Sequence, residues 1–242
     1  MATIADRLQA VNARIARAAT AARRDPASVA LLAVSKTHPV ALIEEAREAG
    51  QRAFGENYVQ EALEKMQALD AGGGAGLEWH LIGPLQSNKT RLAAERFDWV
   101  HTVASEKIAR RLSEQRQGES NAQRQPLNVL VQVNVSGEQS KSGLAQAEVL
   151  PLLEKIVRLK NIRVRGLMAI PEPTSDEALQ RARFRAVRVL FEKLKAEGLE
   201  LDTLSMGMSD DLESAIAEGS TLVRVGTAIF GTRQRVPEKA HA

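Results

Sequence analysis

The chain has no cysteine, a single tyrosine, no long apolar run and no strong excess of either charge. Without cysteine there is no disulfide framework, no thiolate zinc site and no cysteine nucleophile. That composition fits a reducing compartment, and a cytoplasmic location is expected. Aromatic residues are few: five Phe, two Trp and Tyr58. Such a surface offers few platforms on which single-stranded nucleic acid can stack, and any mechanism needing two tyrosines is excluded. No stretch of about 18 apolar residues occurs, so no membrane-spanning helix is expected. The amino-terminal segment MATIADRLQAVNARIARAA alternates apolar with charged residues and lacks the apolar core of a secretory signal. The net charge of +3 is a mild excess and no electrostatic footprint for nucleic acid.

What is present is a regular alternation. Ile4, Leu8, Val11 and Ile15 recur at spacings of three and four, which predicts an amphipathic helix over 3–22. The run Val29-Ala30-Leu31-Leu32-Ala33-Val34-Ser35 then reads as a buried strand. Further apolar runs lie near 52–55, 78–82, 98–103, 127–135, 163–170, 202–205 and 221–225. Helical patterns separate them, near 39–49, 57–69, 86–95, 105–117, 145–160, 176–197 and 209–218. Strands alternating with helices imply parallel pairing through helical crossovers. Eight such units in 242 residues predict a single (β/α)8 TIM-like barrel with an extra amino-terminal helix, the doubly wound open sheet being the alternative. The expected barrel spans 1–233, with a polar tail over 234–242. The glycine-rich loop at 70–76 and the segments 116–126 and 171–174 are too short to divide the chain into domains.

In such a barrel the chemistry sits at the carboxyl ends of the strands. The first strand ends in Ser35-Lys36-Thr37-His38. A lysine closing an apolar strand has a packed stem, and partial desolvation favours its neutral amine, which can condense with an aldehyde or ketone; the alternative is a lysine reaching out to solvent. After the seventh strand comes Ser205-Met206-Gly207-Met208-Ser209-Asp210-Asp211. Here Gly207 permits a tight turn and Ser209 is expected to cap the next helix. After the eighth comes Arg224-Val225-Gly226-Thr227-Ala228-Ile229-Phe230-Gly231, where Gly226 allows close backbone approach and Thr227 offers an amide and a hydroxyl. Loops after strands seven and eight are the recurrent phosphate site of these barrels; Asp210 and Asp211 count against it by supplying negative charge of their own. An amine facing a phosphate grip points to a phosphorylated aldehyde, with pyridoxal phosphate and a sugar phosphate as the two candidates.

Other residues read more plainly. His80 is expected as a packed, hydrogen-bonded core histidine, and no acidic spacing around His38 or His101 points to a metal. Lys141, in Ser140-Lys141-Ser142-Gly143, reads as a solvated loop lysine at the active end of the barrel. Arg181, Arg185 and Arg188 share a helix face, with Arg183 nearby, and read as a solvated outer surface of a barrel helix, with no nucleic acid expected.

The segments Ala33-Val34-Ser35-Lys36-Thr37, Phe54-Gly55-Glu56-Asn57-Tyr58 and Trp79-His80-Leu81-Ile82-Gly83 with Gln86, Asn88 and Lys89 carry a further signal. Together with Ser205-Met206-Gly207-Met208-Ser209-Asp210 and Arg224–Gly231, in this order, they resemble the YggS/PROSC family of pyridoxal phosphate homeostasis proteins, from about residue 3 to residue 233. The resemblance implies a fold-type III barrel related to the N-terminal domain of bacterial alanine racemase, with pyridoxal 5'-phosphate (PLP) as cofactor. It implies an internal aldimine on Lys36, phosphate contacts from Ser209, Gly226 and Thr227, Arg224 facing the pyridine nitrogen, and Asn57 lining the pocket. It implies a protein that binds PLP without established turnover and helps keep PLP and amino-acid pools in balance; carriage or buffering of PLP, with apo-enzymes as recipients, is the role expected, rather than an enzyme's. The residues agree: a cationic arginine beside the ring nitrogen disfavours its protonation and makes the ring a poor electron sink. Racemases of the related fold also take a tyrosine base with a second, β-rich domain, and a barrel that fills the chain leaves none to expect. The monomer is the expected state. The rivals are a PLP-dependent amino-acid racemase of narrow substrate range and a sugar-phosphate aldolase.

Overall fold

The computed structural model describes residues 2–71, 76–116, 125–135 and 142–232. The strands are β1 (Ala30–Val34), β2 (Ala53–Glu56), β3 (Glu78–Leu81), β4 (Trp99–Val103), β5 (Leu127–Gln132), β6 (Ile162–Met168), β7 (Thr203–Ser205) and β8 (Leu222–Val225). All neighbours pair in parallel, and β8 returns to β1 with Leu32 opposite Arg224, so the sheet closes as a barrel in strand order. The helices are α1 (Ile4–Ala21), α2 (Val40–Glu48), α3 (Val59–Ala71), α4 (Thr90–Arg96), α5 (Glu106–Gln115), α6 (Gln146–Ile156), α7 (Glu177–Ala196), α8 (Leu212–Ala217) and α9 (Thr227–Phe230). This is the (β/α)8 barrel with an added amino-terminal helix that the alternation predicts. Closure leaves no exposed sheet edge.

Strand alternation divides the core into two shells. Ala33, Phe54, Leu81, Val100, Val131 and Leu167 pack outward in one large cluster with the helices. Inside stand two small apolar groups, Leu32, Val34, Ile82 and Leu222 in one and Trp99, Leu130 and Met168 in the other. The barrel interior is also polar: His80, His101, Ser205 and Arg224 are all buried.

The amino-terminal helix is strongly specified. Thr3 and Asp6 cap it reciprocally, each taking the other's backbone N–H. Its buried stripe, Ile4, Leu8, Val11, Ile15 and Ala19, packs on α8 and α9. Three arginines tie it to backbone carbonyls near the end of the chain: Arg7 to Ile229, Arg14 to Ser209 and Arg24 to Ile216.

Two helices differ from expectation. The pattern at 86–95 splits into a 3-10 turn, Ser87–Lys89, and α4. The pattern at 209–218 shortens to α8, whose cap position is Asp211, so Ser209 does not cap it. Asp211 instead accepts the Met208 amide at 2.5 Å, which holds 208–211 as a turn ahead of the helix. Gly207 sits at φ +94°, the tight turn read from the sequence.

Candidate functional site

The segments directly after β7, β8, β1 and β2 form one continuous arc of the barrel mouth. Lys36 follows β1, two residues beyond Val34 and half-buried. Asn57 follows β2, the strand paired to β1 through Val34 and Gly55. Gly226 and Thr227 follow β8, paired to β1 through Ala33 and Val225. A side chain on Gly226 would stand 3.1 Å from the Val34 carbonyl oxygen, so the glycine brings this turn close to the strand that carries Lys36. Thr227 opens α9, and as the amide of the first helical residue its N–H has no partner within the helix, while those of Ile229 and Phe230 turn back to the Gly226 carbonyl. Ser209 lies in the turn after β7, half-buried. The predicted residues therefore gather on neighbouring strands.

The backbone around Lys36 is held from outside the barrel. Lys65 projects from α3 and is almost fully buried. Its Nζ donates to Glu56 Oε1 at 2.8 Å, Glu61 Oε1 at 2.6 Å and the Ser35 carbonyl at 2.8 Å. The Ser35 hydroxyl donates to Glu56 at 2.6 Å, and Glu61 accepts the Thr37 amide at 2.5 Å. Both neighbours of Lys36 are thus tied to one cluster. Thr37 takes φ +64°, a left-handed conformation costly for a β-branched residue. Burial pushes the Glu56 carboxyl up from its ordinary value, against the pull of Lys65, and its Oε2 has no hydrogen-bond partner among the described residues. Sequence reasoning missed this cluster. The available signal was Lys65 itself, which falls in the apolar stripe of α3 with Val59, Ala62, Met66 and Leu69.

Arg224 is buried inside the barrel, two residues below Gly226. Its Nη1 donates to the Ser205 carbonyl and hydroxyl, both at 2.7 Å, and its Nη2 to the Ala169 carbonyl at 2.9 Å. Burial lowers its pKa to about 10, with Asp211 opposing, so it remains a cation at neutral pH.

A cavity of about 290 Å³ occupies the other part of the mouth. Asn57, Ile82, Thr102, Gln132 and Ile170 are among its walls, and Lys36, Ser209, Gly226 and Thr227 are not. A side chain on Gly83 would collide with the Asn57 backbone, so this glycine lets the segment after β2 cross the rim.

The remaining candidates fall into place. His80 is a buried, hydrogen-bonded core histidine as expected. Lys141 lies outside the described residues. Arg181, Arg185 and Arg188 converge on the buried carboxylate of Glu218, while Arg183 pairs with Glu172. Among the described residues no group of three His, Asp or Glu could hold a metal ion, and no helix is long and apolar enough to cross a membrane.

Residues 7–234 match the family model of the alanine racemase N-terminal domain. The chain is 58% identical to the pyridoxal phosphate homeostasis protein of Pseudomonas aeruginosa, across 96% of this chain and 97% of that one. It is 53% identical to the protein of the same name from Escherichia coli K12, across 96% and 98%. Among solved structures, PipY of Synechococcus elongatus with PLP bound is similar at a TM-score of 0.81 and 39% identity, covering 95% of this chain and all of that one. An alanine racemase of Clostridium difficile shares the fold at a TM-score of 0.70 and 14% identity, over 85% of this chain and 55% of its own.

Proposed function

The chain belongs to the pyridoxal phosphate homeostasis protein family, built on the alanine racemase N-terminal barrel, and from that premise we propose that it binds PLP at the carboxyl ends of β7, β8, β1 and β2. The observation that carries this is the meeting of an amine and an anion-binding turn on paired strands: Lys36 after β1, Gly226 and Thr227 after β8. The donor set fits the group. Lys36 would hold the aldehyde carbon, while Ser209 and the amides of Gly226 and Thr227 would take the phosphate. Arg224 can only donate hydrogen bonds, so it would face the ring nitrogen as an acceptor and keep it unprotonated. Asn57 would line the ring's edge of the pocket.

Bound there, the group supplies an aldehyde that an amine can take up and release. That reversibility suits carriage or buffering of PLP for apo-enzymes better than turnover. An unprotonated ring withdraws electrons weakly, and Tyr58, the sole tyrosine, is 60% exposed on the rim at the start of α3. We read the protein as a non-enzymatic carrier that works as a cytoplasmic monomer, with 1–233 as its single domain.

The test is direct. Purified protein incubated with PLP is expected to turn yellow, and borohydride followed by peptide mass spectrometry to fix the cofactor on Lys36. A protein that takes up no PLP, or one labelled equally well after Lys36→Ala, would overturn the binding reading. Steady loss of chirality from any L-amino acid, abolished by Lys36→Ala, would overturn the carrier reading.

A further inference from the structure

Four buried side chains inside the barrel are linked in a row that ends at the surface. Arg224 Nη1 donates to Ser205 Oγ at 2.7 Å. Ser205 Oγ stands 3.1 Å from His101 Nδ1. His101 Nε2 stands 2.9 Å from His80 Nδ1, and His80 Nε2 stands 2.6 Å from Glu78 Oε1. Glu78 opens β3, at the end of the barrel opposite the site, and its side chain is half exposed.

With both imidazoles neutral, the chemistry of the two ends sets the direction of every link. A guanidinium only donates and a carboxylate only accepts. Ser205 Oγ accepts from Arg224, so its own proton is left for His101 Nδ1. A neutral His101 then carries its proton on Nε2 and donates it to His80 Nδ1. His80 likewise carries its proton on Nε2 and donates it to Glu78. Every proton then points the same way.

We infer that Ser205, His101 and His80 are positioning residues for Arg224, and that this one-way chain lets protonation at the Glu78 end of the barrel reach whatever faces the guanidinium. The part that concerns a bound ring rests on the proposed PLP site. The geometry makes His80 the link next to the half-exposed carboxylate. His101 is buried between His80 and Arg224, and burial with those two neighbours holds it well below the ordinary imidazole value. His80 touches Glu78 and stacks on Trp99, with ring centroids 5.2 Å apart. Across Trp99 lies Arg165, which is paired with Asp202. Asp211 acts on Arg224 from the other side. A proton taken up by His80 Nδ1 sets two donors against each other at the His80–His101 link. The link is restored when the His101 proton moves from Nε2 to Nδ1, which reverses the His101–Ser205 hydrogen bond. Ser205 Oγ then accepts from both neighbours and its own hydroxyl proton turns away from His101, so the oxygen to which Arg224 Nη1 donates has a different set of hydrogen bonds.

Two measurements test this. In cofactor-free protein labelled with 15N-histidine, His80 and His101 are expected as neutral Nε2–H tautomers between pH 6 and 8. An Nδ1–H tautomer at either residue, or ordinary titration of His101, would overturn the chain. In PLP-loaded protein, the absorbance of the bound cofactor is expected to show an acid transition that moves down by about one pH unit in Glu78→Gln, because the row then ends on a neutral amide in place of a carboxylate. Ser205→Ala is expected to remove the transition and Ser205→Thr to restore it. An unchanged transition in Glu78→Gln and Ser205→Ala would overturn the coupling. Failure to take up PLP would instead remove the site reading, and with it the coupling to a ring, while the tautomers of the cofactor-free protein stand or fall on their own.

Discussion

Two buried charge clusters in this barrel are inverses of each other. At the mouth one cation, Lys65, is enclosed by Glu56 and Glu61. Between α7 and α8 one carboxylate, Glu218, is surrounded by Arg181, Arg185 and Arg188. The difference lies in redundancy and in what each holds. The Lys65 side chain is 7% exposed, and among the described residues it alone is ion-paired with both carboxylates; the amine also binds backbone beside Lys36. The guanidinia around Glu218 are 42%, 56% and 43% exposed, and three donors serve one acceptor. One cluster fixes the site, and the other joins two helices with donors to spare.

The largest expected effect therefore comes from Lys65. Lys65→Met leaves two carboxylates facing each other beside a buried backbone, and removing one partner of such a pair typically costs about 3–5 kcal/mol. Denaturant unfolding is expected to report that loss, together with weaker PLP uptake because Ser35 and Thr37 lose their anchor. A variant as stable as the parent would erase the contrast.

Glu218→Gln is expected to cost less, about 1 kcal/mol, since the three arginines are well solvated. Its pH dependence has a definite sign. Burial alone would raise the Glu218 carboxyl, but hydrogen bonds from Arg185 and Arg181 outweigh it and hold it below its ordinary 4.5. A lowered carboxylate stabilises the fold above its unfolded value and loses that contribution as pH falls through the folded one. The gap between parent and variant melting temperatures should be full above about pH 5 and close under acid. A gap that widens as pH falls would contradict the ion-pair account.

Arg185→Ala is expected to be the smallest, a drop in melting temperature well below that of Glu218→Gln, because two arginines remain on the same carboxylate. A loss as large as that of Glu218→Gln would show that the donors are not interchangeable.

These clusters also mark the boundary of what the residues reveal unaided. Strands such as 78–82 and 222–225 are legible because a two-residue period or an apolar run reports burial locally. The loops at Gly207 and at Gly226-Thr227 are legible because their turn chemistry is written in adjacent residues. Glu218 and Arg181 are 37 positions apart, and Lys65 reaches Ser35 across 30. No local pattern encodes such a meeting, so an arginine face reads as solvated until the fold brings a carboxylate to it. Ser209 fails for the opposite reason. It is a good cap by type, but Asp211 lies nearer the helix and has taken the Met208 amide.

The arginines of α1 and of the turn that follows it have a consequence in time. Arg7 meets its carbonyl partner 222 residues later in the chain, Arg14 after 195 and Arg24 after 192. A helix made before the rest of the barrel is therefore among the last parts of it to find its place. Contacts of such sequence separation form slowly, and until α8 and α9 exist the Ile4–Ala19 stripe lacks the main surface on which it lies. The nascent chain carries that greasy ridge through most of its synthesis, a natural handle for a chaperone and a weak point for aggregation.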